Sequence, residues 1–439
     1  MNAPKLTIVP PDALIDVPRA LRIEHLRKDA IVSITATTQR GGGIEWTSRI
    51  RIRADECGVI DLGRQAPLEG SYTGVSPMGL LWSQTPMVPG RSEVFRDSVM
   101  EALETEIRVR TPDGELRGSL VQRLAAAGCQ RIEIREEGLV GTLFIPAGPG
   151  PHPAVIVLNG SGGGINEPRG ALYASHGYLA FALAYFKAPG LSNYISNTPL
   201  EYFKKAMDWL RRRYKPLKSF VALSGQSRGG ELVLLLASLF PDDVSAVIAY
   251  VPGAVVHSAQ NAADPAVGRE GPAWLLNGQP LVDVWSHSKT ATWAPFDEGP
   301  VPHRHNLAIL TALRDKAAVA RARIRVENIK CPVALLSGTD DGSWPSSLYS
   351  KMVVDKLQEV GFPYDVQWVD TADAGHAIVF PYIPTTQVVY SHPVSGRVST
   401  AGGRPDANAL ADDHSWTCVK KFLSDAVTGQ PDRQIDRRV

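Results

Sequence analysis

The feature of the sequence that most restricts the fold is a series of short apolar runs that begins near residue 130. Ala154–Leu158 and Tyr178–Tyr185 have the length of strands, and continuous apolar runs are typical of central strands covered on both faces. Helical patterns alternate with them, and Thr198–Glu201, with proline in its second place, predicts the start of a helix. This alternation predicts a mostly parallel sheet with helices on both faces.

The first third of the chain has a different pattern. In residues 46–54, Ile50 and Ile52 alternate with three arginines, which predicts a strand with one buried face and one exposed face. The arginines favour a solvated outer face over an anionic ligand surface. Short strands separated by turns, with almost no helical periodicity, predict a β-sandwich.

These two patterns predict two domains. We expect an all-β sandwich domain over residues 1–125 and an α/β domain over residues 126–439. Residues 253–330 interrupt the alternation of strands and helices, and they contain several Trp, Pro and His. This stretch is a candidate cap or insertion over a cleft.

Composition excludes some classes of function and favours one location. With 46 Lys and Arg against 45 Asp and Glu, the net charge is +1, which gives no electrostatic argument for a nucleic-acid partner. The four scattered cysteines fit neither a disulfide framework nor a zinc cluster, and they suit a reducing compartment. We read no signal peptide at the start, and Pro241 breaks the most apolar region before it reaches the length of a membrane span. We therefore expect a cytoplasmic protein.

Ser227 is the candidate nucleophile. The motif Gly225-x-Ser227-x-Gly229 lies between a strand-like run at 220–223 and an apolar helical pattern at 231–240. A strand before and a helix after are what a nucleophile elbow requires, and the sharp turn lifts the serine hydroxyl above the sheet. The alternative is a tight turn that contains an incidental serine.

A serine nucleophile needs a base and a carboxylate that orients the base, and in α/β-hydrolases the chain order is Ser, acid, His. Asp340 and Asp341 both follow the strand-like run Val333–Ser337. We favour Asp341, because the spacing from Gly338 leaves room for a turn before it. The alternative is that one of the two aspartates caps the helix that begins near residue 345.

His376 is the candidate base. It follows the strand-like run Val366–Val369 and a glycine at 375. His392 and His414 satisfy the same chain order, but neither has a preceding strand and a glycine turn.

The oxyanion of an acyl-transfer reaction needs fixed N–H donors. The backbone N–H of Arg228, one position after the nucleophile, is one candidate. Ser161 is our choice for the second donor, with Gly162 next, on the glycine-rich loop 159–164 that follows the central strand. A phosphate cradle is the alternative for this loop, but it lacks the Gly-Lys-Ser/Thr sequence.

With these residues in place, the chain resembles the acyl-CoA thioesterase / bile acid-CoA:amino acid N-acyltransferase family over most of its length. The similar segments are 46–48, 54–55, 58–62, 70–83, 141–144, 160–164, 182–186, 199–203 and 374–376. The resemblance implies an immunoglobulin-like sandwich followed by an α/β-hydrolase domain with a Ser/Cys–Asp–His triad. The triad of the family falls on Ser227, Asp341 and His376. The run 392–406 is more similar to bacterial members than to the animal enzymes.

The resemblance implies a small-molecule acyl thioester as substrate, either acyl-CoA or a carrier-bound acyl group, with no metal and no organic cofactor. Serine at the elbow favours hydrolysis, since family members that transfer the acyl group to amino acids typically carry cysteine there. Transfer to an amine, cyclisation, and hydrolysis of an ester or peptide remain alternatives on the same triad. A non-enzymatic binding protein is a third class, which labelling by a fluorophosphonate probe would exclude. The sequence leaves the oligomeric state open.

Overall fold

A computed structural model of the chain describes residues 2–429 and the backbone of residues 437–438. The described residues form two compact units. The first unit runs to residue 126 and also contains 380–387 and 404–413, and the second contains 127–379, 388–403 and the described residues from 414 on. The predicted boundary between 125 and 126 stays a prediction, and it did not anticipate the two short segments that the first unit takes from the later part of the chain.

The first unit is built from two sheets. Its strands are β1 (Lys5–Val9), β2 (Asp12–Leu14), β3 (Ala20–Glu24), β4 (Ile31–Gln39), β5 (Glu45–Arg53), β6 (Ile60–Asp61), β7 (Glu69–Gly70), β8 (Thr85–Pro86), β9 (Leu103–Thr111) and β10 (Gly114–Arg123), with the short helix α1 (Gly79–Trp82). One sheet has the order β1-β3-β6, and the other has the order β2-β10-β9-β4-β5-β7 with β8 also on β5. Buried side chains of both sheets form one core, as the predicted β-sandwich requires.

The strand predicted at 46–54 lies within β5. Ile50 and Ile52 are buried in the core of the sandwich, and the three arginines that alternate with them are exposed. Arg51 pairs with Glu69 on the neighbouring β7 at 2.7 Å. The alternation is therefore confirmed, and the arginine face is a solvated one.

The second unit is built on a nine-stranded sheet with the order β11-β12-β14-β13-β16-β17-β20-β21-β24. The strands of this unit are β11 (Gln130–Glu136), β12 (Leu139–Ile145), β13 (Ala154–Leu158), β14 (Leu179–Ala184), β15 (Thr198–Pro199), β16 (Val221–Gln226), β17 (Ala246–Tyr250), β18 (Trp274–Leu276), β19 (Gln279–Pro280), β20 (Val333–Gly338), β21 (Val366–Thr371), β22 (Val389–Ser391), β23 (Val398–Thr400) and β24 (Arg437–Arg438). Every neighbouring pair from β14 to β24 is parallel. The predicted α/β fold is confirmed.

Helices connect these strands. They are α2 (Glu167–Ser175), α3 (Glu201–Tyr214), α4 (Arg228–Leu239), α5 (Ala294–Asp297), α6 (Asn306–Ala312), α7 (Lys316–Ala322), α8 (Ser346–Glu359) and α9 (Pro405–Thr428). The chain leaves β13 for β14 through α2 and then crosses back to β16 through α3. Right-handed crossovers that run in opposite directions place their helices on opposite faces of the sheet. The change of direction also opens a crevice at the carboxyl ends of β13 and β16, where open α/β sheets bind ligands.

The prediction of a helix that opens at Thr198, with Pro199 as its first helical residue, is wrong by two residues. Thr198 and Pro199 form β15, which pairs with Trp274 and Leu275 of β18, and α3 begins at Glu201. The pairing with a distant strand holds the backbone extended, so it overrides the local preference for a helix. The stretch 253–330 contains β18, β19 and α5–α7, and its role as a cap stays a prediction. In the part of the chain that the structure describes, no helix combines the length and the apolar character that crossing a membrane demands.

Candidate active site

Ser227 lies at the sharp turn between β16 and α4. Its backbone has φ +60° and ψ −117°, a strained conformation for a residue other than glycine. The turn also requires close packing, because a Cβ at Gly225 would lie 2.0 Å from the carbonyl oxygen of Gly229. A Cβ at Gly229 would lie 2.6 Å from the carbonyl oxygen of Leu158. The two glycines therefore permit the turn that exposes the serine side chain.

The structure brings the three predicted triad residues together. The Nε2 atom of His376 lies 2.7 Å from Ser227 Oγ, and its Nδ1 atom lies 2.8 Å from Asp341 Oδ2. A carboxylate accepts hydrogen bonds, so the proton of the neutral ring belongs on Nδ1 and Nε2 accepts from the serine hydroxyl. This is the tautomer that a general base for Ser227 requires.

Asp341 is held in place from its other side. Its Oδ1 atom accepts hydrogen bonds from the backbone N–H of Ser343 at 2.8 Å and of Trp344 at 3.1 Å. These bonds leave Oδ2 directed at His376. Asp340, the alternative acid, instead pairs with Arg304 at 2.7 Å, and its side chain is 47% exposed. Of the two aspartates, the structure places Asp341 against the histidine.

One short segment, 400–403, braces the loops that carry the acid and the histidine. The carbonyl oxygen of Ala401 accepts from the backbone N–H of His376 at 2.8 Å and from that of Gly342 at 2.9 Å. The backbone N–H of Gly403 donates to Asp340 Oδ2 at 3.0 Å. Both loops are therefore fixed against the same stretch of backbone.

The loop after β13 lies beside Ser227, since a Cβ at Gly160 would lie 3.6 Å from Ser227 Oγ. Three of its N–H groups are already used: that of Gly160 donates to Asn159 Oδ1, that of Gly163 to the carbonyl oxygen of Gly160, and that of Gly164 to the carbonyl oxygen of Phe186. Within the described residues, the N–H groups of Ser161 and Gly162 have no hydrogen-bond acceptor.

The backbone N–H of Arg228 belongs to the first turn of α4, where N–H groups have no partner inside the helix. The three N–H groups of Arg228, Ser161 and Gly162 are therefore the candidate oxyanion donors that the sequence predicted.

Beneath the elbow lies a buried polar network that the sequence analysis missed. We call it the elbow network, and its members are Arg228, Glu231, His257, Gln260, Trp274 and Tyr349. Glu231 Oε2 accepts from Arg228 Nη1 at 2.9 Å and from His257 Nδ1 at 2.8 Å, and Oε1 accepts from Trp274 Nε1 at 2.9 Å. Burial opposes ionisation of Glu231, but the charge of Arg228 and these hydrogen bonds outweigh it and lower its pKa. The sequence signal was the presence of two charged residues, Arg228 and Glu231, at the start of an apolar helix.

The two rival histidines take other positions. His392 Nε2 lies 3.0 Å from Ser161 Oγ, and His414 lies in α9. Burial lowers the pKa of His392 to about 4, with the charge of Lys187 as a smaller contribution, and burial lowers the pKa of His305 to about 3. The rings of His392 and His305 are therefore neutral at neutral pH.

No three His, Cys, Asp or Glu side chains of the described residues are grouped so that they could hold a metal ion.

The sequence matches two profiles of one protein family and several curated relatives. Residues 198–429 match the family profile described as "BAAT / Acyl-CoA thioester hydrolase C terminal", and residues 16–136 match "Acyl-CoA thioester hydrolase/BAAT N-terminal region". Acyl-coenzyme A thioesterase 6 of Mus musculus is 29% identical and covers 94% of both chains. Acyl-coenzyme A thioesterase 1 of Homo sapiens is 30% identical over 93% of both chains. Mitochondrial acyl-coenzyme A thioesterase 2 of Mus musculus is 30% identical over 93% of this chain and 86% of its own.

Among solved structures, 2,6-dihydroxy-pseudo-oxynicotine hydrolase aligns with 71% of each chain at 17% identity and a TM-score of 0.40.

The three relatives above are mammalian, and one of them is mitochondrial. The expectations of a bacterial-type member and of a cytoplasmic location therefore stay predictions.

Proposed function

The chain belongs to the acyl-CoA thioester hydrolase/BAAT family, and from this premise we propose that it hydrolyses acyl-CoA thioesters to a free acid and CoA through an acyl-enzyme on Ser227. The observation that carries the proposal is the position of His376, which hydrogen-bonds Ser227 Oγ with one ring nitrogen and Asp341 with the other. A serine, a base and an orienting carboxylate in this relation are the machinery of acyl transfer.

In the first half-reaction, Ser227 Oγ attacks the thioester carbonyl carbon while His376 Nε2 takes the hydroxyl proton. Asp341 stabilises the imidazolium that forms, because its Oδ2 already accepts from Nδ1. The carbonyl oxygen becomes an oxyanion, and the N–H groups of Arg228 and Ser161 donate to it. The intermediate then collapses, the carbon–sulfur bond breaks, and the CoA sulfur leaves with the proton from His376.

In the second half-reaction, His376 Nε2 takes a proton from water as the water oxygen attacks the ester carbonyl on Ser227. The same oxyanion donors stabilise the second tetrahedral intermediate. Its collapse releases the acid and returns the proton to Ser227 Oγ. Each bond that forms is matched by one that breaks, and the net reaction consumes one water per thioester.

Serine at position 227 supports hydrolysis over transfer to an amine. An acyl group on serine is an oxygen ester, which offers an amine less advantage over water than a thioester on cysteine would. The chain therefore resembles the hydrolases of the family at the atom that carries the acyl group.

The proposal is tested by the release of free thiol from a panel of acyl-CoA substrates of increasing chain length. We expect steady turnover by the native enzyme and a loss of kcat of at least ~10⁴-fold in Ser227→Ala. Ser224→Ala is the matched control, because Ser224 lies on the same strand and its hydroxyl contacts Tyr173 OH rather than the triad. Unchanged turnover in Ser227→Ala would rule out the mechanism.

The competing reactions are separated by product and substrate. Mass analysis with glycine present distinguishes hydrolysis from transfer, since a conjugate in excess of free acid would favour transfer. Parallel assays with oxygen esters and peptides test the leaving group. Labelling of Ser227 by a fluorophosphonate probe tests for an active nucleophile without any assumption about substrate.

A further inference from the structure

His392 lies between β22 and β23, is 5% exposed, and uses both of its ring nitrogens. Its Nε2 atom lies 3.0 Å from Ser161 Oγ. Its Nδ1 atom faces two backbone N–H groups, those of Val394 at 3.2 Å and Ser395 at 3.3 Å. These contacts decide where the ring carries its proton.

A backbone N–H can only donate, so Nδ1 of His392 has to accept and carries no proton. Since the pKa of the ring is lowered to about 4, the ring is neutral at neutral pH and has one proton, which lies on Nε2. The Nε2–H group therefore donates to Ser161 Oγ. His392 has no free acceptor nitrogen, so it does not serve as a base for Ser227.

The contact with His392 determines the role of the Ser161 hydroxyl. A serine hydroxyl accepts hydrogen bonds and donates one. Because Oγ accepts from His392, the O–H group has to donate elsewhere, and among the described residues Oγ makes no second hydrogen bond to the protein. Ser161 follows Gly160, the residue at which a Cβ would lie 3.6 Å from Ser227 Oγ. The O–H group is thus carried by the loop beside the nucleophile and is available to bound substrate.

We infer that His392 is a positioning residue that holds the Ser161 hydroxyl so that it donates to the oxyanion, an inference that rests on the proposed function. Ser161 then contributes two donors, its N–H and its O–H, and Arg228 contributes a third. An oxyanion gains more from a hydrogen bond than a neutral carbonyl does, so the contact acts on kcat rather than on KM.

Three substitutions separate this contact from the folding of the turn at 392–395. His392→Asn keeps an acceptor near the position of Nδ1, but its side chain is too short to reach Ser161. His392→Gln places an amide N–H near the position of Nε2. Ser161→Ala removes the hydroxyl and keeps the backbone N–H.

We expect Ser161→Ala to lower kcat for acyl-CoA hydrolysis about 10²-fold, the usual effect of removing one oxyanion donor. His392→Asn lowers kcat about tenfold and changes KM less than about twofold, because the hydroxyl is present but no longer oriented. His392→Gln returns kcat to within about threefold of the native value. The double variant Ser161→Ala/His392→Asn has the kcat of Ser161→Ala alone, since His392 acts through the hydroxyl that is missing.

The rate of reaction with a fluorophosphonate is measured for the same variants, because the phosphonyl oxygen uses the same donors and the probe contains no CoA. Labelling that follows the predicted order without acyl-CoA turnover would support the inference and contradict the proposed substrate. Native labelling rates in His392→Asn, a full additional loss of kcat in the double variant, or no recovery in His392→Gln would each overturn the inference alone. A native enzyme that is neither labelled nor active would overturn both proposals.

Discussion

Glu231 is the residue of the elbow network whose substitution should most destabilise the second unit. It is completely buried, and its two oxygens together accept hydrogen bonds from Arg228, His257 and Trp274. Glu231→Gln has nearly the same volume and creates no cavity. It removes the negative charge that compensates buried Arg228, and it directs an amide NH₂ group at side chains that themselves donate.

The magnitude follows from these contacts. Removing one partner of a buried ion pair costs about 3–5 kcal/mol, because the other charge is left uncompensated. A donor that loses its acceptor costs roughly 1–3 kcal/mol more, and the two costs overlap within one network. We therefore expect Glu231→Gln to lower the free energy of unfolding by about 4 kcal/mol or more, a large part of the 5–15 kcal/mol typical of a native protein.

Urea denaturation followed by tryptophan fluorescence measures this change, since Trp274 is part of the network. The matched control is Asp242→Asn, which breaks the pair with Lys330 on the surface, where the side chains are 81% and 56% exposed. Such a pair contributes about 0–1 kcal/mol. Arg228→Met in the Glu231→Gln background removes the uncompensated charge, but it also leaves the carbonyl oxygen of Ser258 and Oε1 of Gln260 without their donor, so it should recover little of the loss.

Two outcomes would refute the reasoning about Glu231. One is a Glu231→Gln variant destabilised no more than Asp242→Asn. The other is a double variant as stable as the native protein, which would mean that the hydrogen bonds lost in the network cost nothing.

Three other predictions address the triad, the elbow and a buried histidine. Asp341→Asn should lower kcat for thioester hydrolysis by about 10⁴-fold, as a wrong histidine tautomer does, while Asp340→Asn stays within about threefold; equal effects would contradict the assignment of the acid. Gly229→Ala should lower kcat about 10²-fold, since its Cβ would lie 2.6 Å from the carbonyl oxygen of Leu158 and displace the nucleophile; an unchanged kcat would show that the turn can adapt. His305 in the unfolded chain takes up a proton below about pH 6.5, whereas in the folded protein its pKa is about 3, so acid favours unfolding. Urea denaturation at pH 7 and pH 5 should show the native protein losing about 2 kcal/mol more stability than His305→Phe, and parallel losses would contradict burial of the neutral ring.

The parts of the site that the sequence predicted are those with a local signal. Each residue of the proposed triad follows an apolar strand within a few positions: Ser227, Asp341 and His376. Since parallel strands have their carboxyl ends at one edge of the sheet, the three residues were expected to lie near one another. Chain order then supplied the role that we propose for each residue. The choice of Asp341 over Asp340 rested on turn spacing and on the family resemblance, whereas the structure distinguishes the two by their partners, His376 and Arg304.

The parts that the sequence did not predict depend on contacts between distant residues. Nothing in the local sequence indicates that Glu231 meets His257, or that His392 meets Ser161 across more than two hundred positions. The same holds for Thr198, whose local pattern predicted a helix while its pairing with Trp274 makes it a strand. In each case the local pattern is compatible with several environments, and packing selects one of them.

The segment 400–403 has a consequence for how loss-of-function variants are interpreted. It contains none of the triad residues, yet its backbone supports the acid loop and the histidine loop together. An insertion or deletion there would displace the acid and the histidine of the proposed triad at once while leaving the serine in place. Such a variant would mimic a catalytic knockout in a genetic screen, although every reactive side chain were intact.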